Sequence, residues 1–172
     1  DWSSDVCSSD LSAGKLAWIP RRSGERGALE AGAISNLLPG GRPVSDASAR
    51  VDIQSAWGVQ TLPSHPGRGT DSILAALNED DGLDAVVVGG VDPSDISAHA
   101  LSQLLNTFVV SLEIAHSSVT EIADVVLPVA AVTEKAGTFL DWEGRPRSFE
   151  PSVDSLLRSD VRILNALSEQ IG

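Results

Sequence analysis

Gly89-Gly90, followed by Asp92-Pro93, is the stretch where residue type and spacing come closest to a ligand site. Paired glycines let a ligand approach the backbone, and a helix opening after them offers free N–H groups to an anion. Asp92 and Asp95, however, already place carboxylates at that helix start. The motif therefore reads either as a structural turn or as a phosphate site. Glu113–His116 (EIAH) and Pro128–Gly137 (PVAAVTEKAG) follow apolar runs in the same manner. Glu134-Lys135 and Glu143-Gly144-Arg145 could form an acid–base pair or an anion clamp, or simply loop salt bridges. His65, His99 and His116 lack the spacing of metal ligands. No Ser occupies a Gly-x-Ser-x-Gly elbow, no Walker loop is present, and Gly24, Gly27 and Gly32 do not form Gly-x-Gly-x-x-Gly. No catalytic residue and no metal ligand is assigned on these grounds.

The elements that must position these residues follow from apolar periodicity. Leu83–Gly90 (LDAVVVGG) is a continuous β-branched run, as expected for a strand buried on both faces. Asp92 suits an N-cap and Pro93 the first helical position, which predicts a helix with Ile96, Ala100, Leu101, Leu104 and Leu105 as its buried stripe. Thr107–Leu112 and Asp124–Pro128 are further strands, and Ser118-x-x-Glu121 has the form of a capping box between them. Asp71–Asn78 places Ile73, Leu74 and Leu77 on one helical face. Gly137–Phe149 reads as loop, and Ser159–Ile171 as a closing helix along Val161, Leu164, Leu167 and Ile171.

The first half is less regular. Lys15–Pro20 is a short strand candidate, Ser23–Gly32 holds one or two helical turns, Asn36–Pro43 is turn material and Ser45–Trp57 a helix. Strands alternating with helices predict an α/β fold with a Rossmann-like parallel sheet and helices on both faces. Ligands of such sheets bind at the carboxyl ends of the strands, where Gly89–Pro93, Glu113–His116 and Pro128–Gly137 would meet.

Bulk properties narrow the function. The chain of 172 residues carries a formal charge of −12, which disfavours nucleic acid and anionic lipid as partners. No apolar run approaches the roughly eighteen residues of a membrane span. The single cysteine, Cys7, cannot supply a cysteine-ligated iron–sulfur or zinc site. With no secretory signal in view, the chain reads as cytoplasmic. Asp1–Leu11 (DWSSDVCSSDL) differs from everything after it and resembles translated adapter tracts at the ends of misassembled reading frames. It is expected to be non-native and poorly packed, leaving residues 12–172 as the α/β part, with 21 acidic against 12 basic residues.

Ala123–Pro128 (ADVVLP), Glu134 with Gly137-Thr138-Phe139, and Glu143-Gly144-Arg145 follow in order. Gly90-Val91-Asp92-Pro93 precedes them. Together they resemble the molybdopterin oxidoreductase family strongly. Ile19–Pro43, Val88–Pro93 and Asp141–Arg145 further resemble the branch serving actinobacterial NADH-quinone oxidoreductase, respiratory complex I. Glu113 stands where the family usually has Asp, and Asp141 where Asn is frequent.

The resemblance implies a segment of the large peripheral-arm subunit, a scaffold in which iron–sulfur clusters lie elsewhere in the parent. Partners would be the remainder of that subunit and other hydrophilic complex I subunits, at the inner face of the plasma membrane. The alternative it implies is a true molybdenum enzyme, such as a formate-dehydrogenase-like reductase. There a molybdopterin guanine dinucleotide would contact Gly89, Gly90, Asp92, Glu113 and Thr120. An unrelated nucleotide-binding module is a third possibility. Asp92, Asp95, Glu113, Glu121 and Glu134 near the strand ends, against Lys135, Arg145 and Arg147, predict a crevice that repels a pyrophosphate.

Overall fold

The computed structural model describes residues 24–77, 79, 82–141 and 143–171. The adapter-like tract Asp1–Leu11 and the strand candidate Lys15–Pro20 lie outside the described residues. Helix α1 (Glu25–Ala31) stops at Gly32, whose φ of 71° is the left-handed conformation typical of a helix C-terminus. A Cβ there would sit 2.4 Å from the Leu38 carbonyl carbon, so the turn admits only glycine. Strands β1 (Leu37–Leu38) and β2 (Arg42–Pro43) make a short hairpin. Helix α2 (Ala47–Trp57) begins at Asp46, whose Oδ1 accepts from the N–H groups of Ser48 (2.9 Å) and Ala49 (3.4 Å). Leu38, Val44, Ala49 and Ile53 bury together there, with Leu62 packed alongside.

Helix α3 (Thr70–Ala76) precedes the main sheet, built from β3 (Ala85–Gly89), β4 (Phe108–Glu113) and β5 (Val125–Pro128). Between the strands lie α4 (Ala100–Leu104) and α5 (Ser118–Ile122). Strand order is β3-β4-β5 and both pairings are parallel, as the alternation of strands and helices predicts. Leu74, Leu77, Ala100, Leu104, Val109 and Val119 form the core between the helices and one sheet face. Val109 and Val119 are fully buried, each contributing about 1.5–3 kcal/mol of hydrophobic stabilisation. Ser111, equally buried on β4, has an Oγ with no hydrogen-bond partner among the described residues.

Several sequence expectations need correction. Strand β3 is not buried on both faces, because Val87 remains 55% exposed on the side away from the core helices. The helix expected after Asp92 is broken into a 3-10 turn, Pro93–Asp95, and the separate α4. Ala100 and Leu104 are buried, whereas Leu105, at the helix end, is 61% exposed. The capping box starts one residue early: Ser117 is the N-cap and Thr120 its partner, in place of Ser118 and Glu121. A threonine hydroxyl can both accept from the Ser117 N–H and donate to the Ser117 carbonyl, and Thr120 does both (2.8 and 2.9 Å).

The expected loop at Gly137–Phe149 is an antiparallel hairpin, β6 (Gly137–Leu140) and β7 (Pro146–Phe149). Phe139 and Phe149 stack with ring centroids 5.0 Å apart, and a Cβ on Gly137 would lie 2.5 Å from the Phe149 ring. Space for that ring explains the glycine. Helix α6 (Asp160–Ile171) closes the described chain, but Val161 and Leu164 of its expected stripe are exposed. Ile163, Ala166 and Leu167 instead share a cleft with Leu127 and Pro128 of β5. Leu127 is in register with Leu112, so α6 lies on the face opposite the core helices. Among the described residues, no helix is long and apolar enough to cross a membrane.

Asp124, one residue before β5, fastens the start of the sheet: its Oδ2 accepts from the N–H of fully buried Val109 at 2.8 Å. Asp124→Ala strands that N–H and is expected to lower stability by about 1–3 kcal/mol. Urea denaturation checks this, with Glu121→Ala, at an exposed position, expected to stay within about 0.5 kcal/mol of the parent chain.

Candidate functional site

Three chain segments meet at the carboxyl edge of the sheet because the parallel register brings them there. Gly89 is level with Leu112, and Glu113 with Pro128. Beyond them opens a cleft of about 590 Å³, lined by Gly89, Gly90, Glu113, Lys135, Asp160 and Leu164 among others. That volume suits a small-molecule ligand. On the far side of the β4 end, a second depression of about 350 Å³ is lined by Glu113, His116, Thr120, Val126 and Pro128.

The five residues singled out for a pterin do not converge on one cavity. Gly89, Gly90 and Glu113 share the large cleft, while Thr120 lines the second depression, which Glu113 also borders. Asp92 lines neither of these two. Its Oδ1 accepts from the N–H (2.9 Å) and the Oγ (2.7 Å) of Ser94. Gly90 has φ of 60°, and nothing lies within 4 Å of an ideal Cβ, so backbone conformation, not crowding, favours glycine there.

The electrostatics of the edge depart from the expected wall of free carboxylates. Glu134 Oε2 accepts from the Ala131 N–H at 2.8 Å, holding a 3-10 turn at Val132–Glu134. Lys135 reaches 25 residues along the chain to pair with Asp160 in the first turn of α6. Arg145 pairs with Glu143 inside the β6–β7 turn, and Arg147 lies 3.4 Å from Asp141. The Glu-Gly-Arg motif is thus a turn salt bridge and not an anion clamp. Asp141 Oδ1 also accepts from the N–H groups of Glu143 (3.0 Å) and Arg145 (2.9 Å). The Arg145 N–H leads in holding its carboxyl below the usual range, with the Glu143 N–H and the charges of Arg147 and Arg145 helping.

The described lining fits a pyrophosphate poorly. The segment after Gly89-Gly90 is a three-residue 3-10 turn whose Ser94 N–H is already taken by Asp92. Lys135 is neutralised by Asp160, and Glu113 adds a carboxylate. The Lys135–Asp160 pair and Leu164 escape sequence reasoning, since nothing local to Lys135 points to a helix that far along the chain. Among the described residues, no three His, Cys, Asp or Glu side chains cluster as metal ligands.

Two outcomes follow. Thr120→Val keeps the shape but removes the cap hydroxyl, and a loss of about 1 kcal/mol is expected in urea unfolding. Because the folded-state pKa of Asp141 is lowered, its stabilisation is present above the ordinary carboxylate value and fades as pH falls through the folded one. Carboxyl NMR titration should place Asp141 below the usual carboxylate range, and Arg147→Ala should move it back upward only in part.

Comparison with known proteins agrees with this architecture. The molybdopterin oxidoreductase family profile matches residues 14–170. The G subunit of NADH-quinone oxidoreductase from Mycobacterium tuberculosis is 52% identical over 170 residues, 95% of this chain and 21% of that protein. Its namesake from Streptomyces coelicolor is 47% identical, over 96% of this chain and 21% of its own length. A nitrate reductase of Symbiobacterium thermophilum is 31% identical over 83% of this chain and 20% of its length. The chain therefore spans about a fifth of the length of these relatives. With the profile covering most of its residues, this chain belongs to the molybdopterin oxidoreductase family.

Proposed function

We propose that this chain is a scaffold segment of the large peripheral-arm subunit of bacterial NADH-quinone oxidoreductase and carries no redox centre of its own. The identity to two NADH-quinone oxidoreductase G subunits carries this reading, about half of the aligned positions over nearly the whole of this chain. Two features of the chain support it. Cys7 is the sole cysteine, so thiolate ligands for iron–sulfur clusters must come from other parts of the parent. Lys135, the one lysine lining the large cleft among the described residues, is engaged by Asp160 and so is not offered to a phosphate.

In this role the segment presents surface to the rest of its own subunit and to neighbouring hydrophilic subunits. It reaches the inner face of the membrane only through the complex. Gly89, Gly90, Asp92, Glu113 and Thr120 then shape strand ends and turns instead of holding a pterin. Metal analysis of the purified parent subunit tests this. Iron without stoichiometric molybdenum, together with co-purification of NADH-quinone oxidoreductase activity, is the expected result. One molybdenum per chain would favour the molybdenum-enzyme reading. Titration with GDP, which stands in for the nucleotide half of the pterin, is expected to give no saturable micromolar binding. Binding that disappears in Gly90→Val would reverse that conclusion.

A further inference from the structure

Helix α6 is packed unlike the other helices of the main sheet. On the core face, Ala100 and Leu104 of α4 and Val119 of α5 are buried against the strands. On the opposite face, no described side chain of α6 is buried. Ile163, Ala166 and Leu167 meet Leu127 and Pro128 across a groove of about 350 Å³. The other flank of the helix, with Asp160 and Leu164, borders the cleft of about 590 Å³. The helix therefore stands between two clefts, where a close-packed contact would leave little space on either side.

What fixes it is concentrated at its first turn. The Arg158 carbonyl accepts from the Ala130 N–H (2.9 Å), beside the parallel bridge between Val129 and Arg158. Two residues on, Asp160 pairs with Lys135. Lys135 stands on a firm base, because Glu134 ties the preceding 3-10 turn to the Ala131 N–H (2.8 Å). The backbone bridge sets where the helix begins but leaves its direction open, since one attachment point permits rotation about it. The ion pair supplies the second point. Its side chains are 24% and 43% exposed, so water and salt reach it. Leu112 and Val129, at 5% and 4% exposure, line the cleft that the helix walls off.

We propose that α6 is a hinged cover on the large cleft, pivoting at Ser159 beside the Arg158 bridge and latched by the Lys135–Asp160 pair. Lys135 is then a positioning residue, acting on the cleft through the helix. An anion that competes for Lys135 releases the helix, and Leu112 and Val129 meet solvent. The device lies wholly within this chain, and it holds whether the parent is a complex I scaffold or a molybdenum enzyme.

Hydroxyl-radical footprinting of the intact parent subunit tests it. Oxidation of Leu112 and Val129 is the cleft readout, and Val109 and Val119 are the core references. Lys135→Gln and Asp160→Asn are each expected to raise oxidation at Leu112 and Val129 about threefold or more, with the references unchanged, because the opening is local. Lys135→Arg keeps the charge and is expected to keep the parent pattern. Salt at about 0.5 M should loosen the parent in the same direction and leave Lys135→Gln unmoved, since that variant has no pair left to screen. Equal oxidation of Leu112 and Val129 in the parent and in Lys135→Gln overturns the cover. A parallel rise at Val109 and Val119 overturns it too, because the pair is then a general stabiliser. A salt response that persists in Lys135→Gln overturns the pair as the latch. Molybdenum content of the same preparation bears on the proposed function and leaves these outcomes untouched.

Discussion

Strand β4 is the member of the main sheet that must satisfy neighbours on both sides, and the carboxyl edge takes its geometry from that demand. Its even-numbered residues bond to β3 and its odd-numbered ones to β5, as the flanking bonds from Gly90 to Leu112 and from Val129 to Glu113 require. This phase turns Val109 toward the core helices and Leu112 toward the cleft. It also leaves the Val109 N–H at the sheet's lower end, where Asp124 supplies the acceptor. Shifting β4 by one residue would exchange core and cleft side chains along the strand. The position of Glu113 between two depressions is thus a consequence of sheet register.

The residues that carry the family resemblance have a common occupation in this structure. Asp92 caps the Pro93–Asp95 turn, Thr120 closes the start of α5, and Asp124 holds the Val109 N–H. Glu134 holds the Ala131 N–H, and Asp141 gathers two N–H groups in the β6–β7 turn. Each is a short polar side chain used on backbone that the sheet leaves unpaired at a strand or turn end. A chain can therefore match the family along most of its length on architectural grounds. Of the carboxylates that look on paper like a repulsive ring around an anion, Asp92 and Glu134 are engaged with the protein's own amides.

Legibility in the sequence followed the range of the interactions involved. The three parallel strands were readable because β-branched runs such as Val86–Val88 and Val109–Val110 have few alternatives to a sheet. Apolar pattern alone brackets the helix within Ser45–Trp57, whereas the Asp46 cap depends on a turn geometry that only the fold supplies. Short-range choices between neighbours were harder, as with Ser117 against Ser118, where both offer a hydroxyl and only the Thr120 geometry decides. The β6–β7 hairpin was hidden because Pro146-Arg147-Ser148 has little strand preference, and its pairing depends on the Phe139–Phe149 stack formed across the turn. Non-local features such as Lys135 with Asp160 left no mark on sequence spacing at all.

Because the strands of the main sheet lie side by side in the order they occur along the chain, each parallel pairing closes a loop of only about twenty residues. Loop-closure entropy rises slowly with length, but parallel pairing in general draws on far more distant segments and is correspondingly slow. Here the crossovers are short, and α4 and α5 bury their apolar residues against the sheet that they connect. Short crossovers therefore favour early pairing within the stretch from α3 to β5. The order in which these strands pair is then written in topology instead of in contact strength.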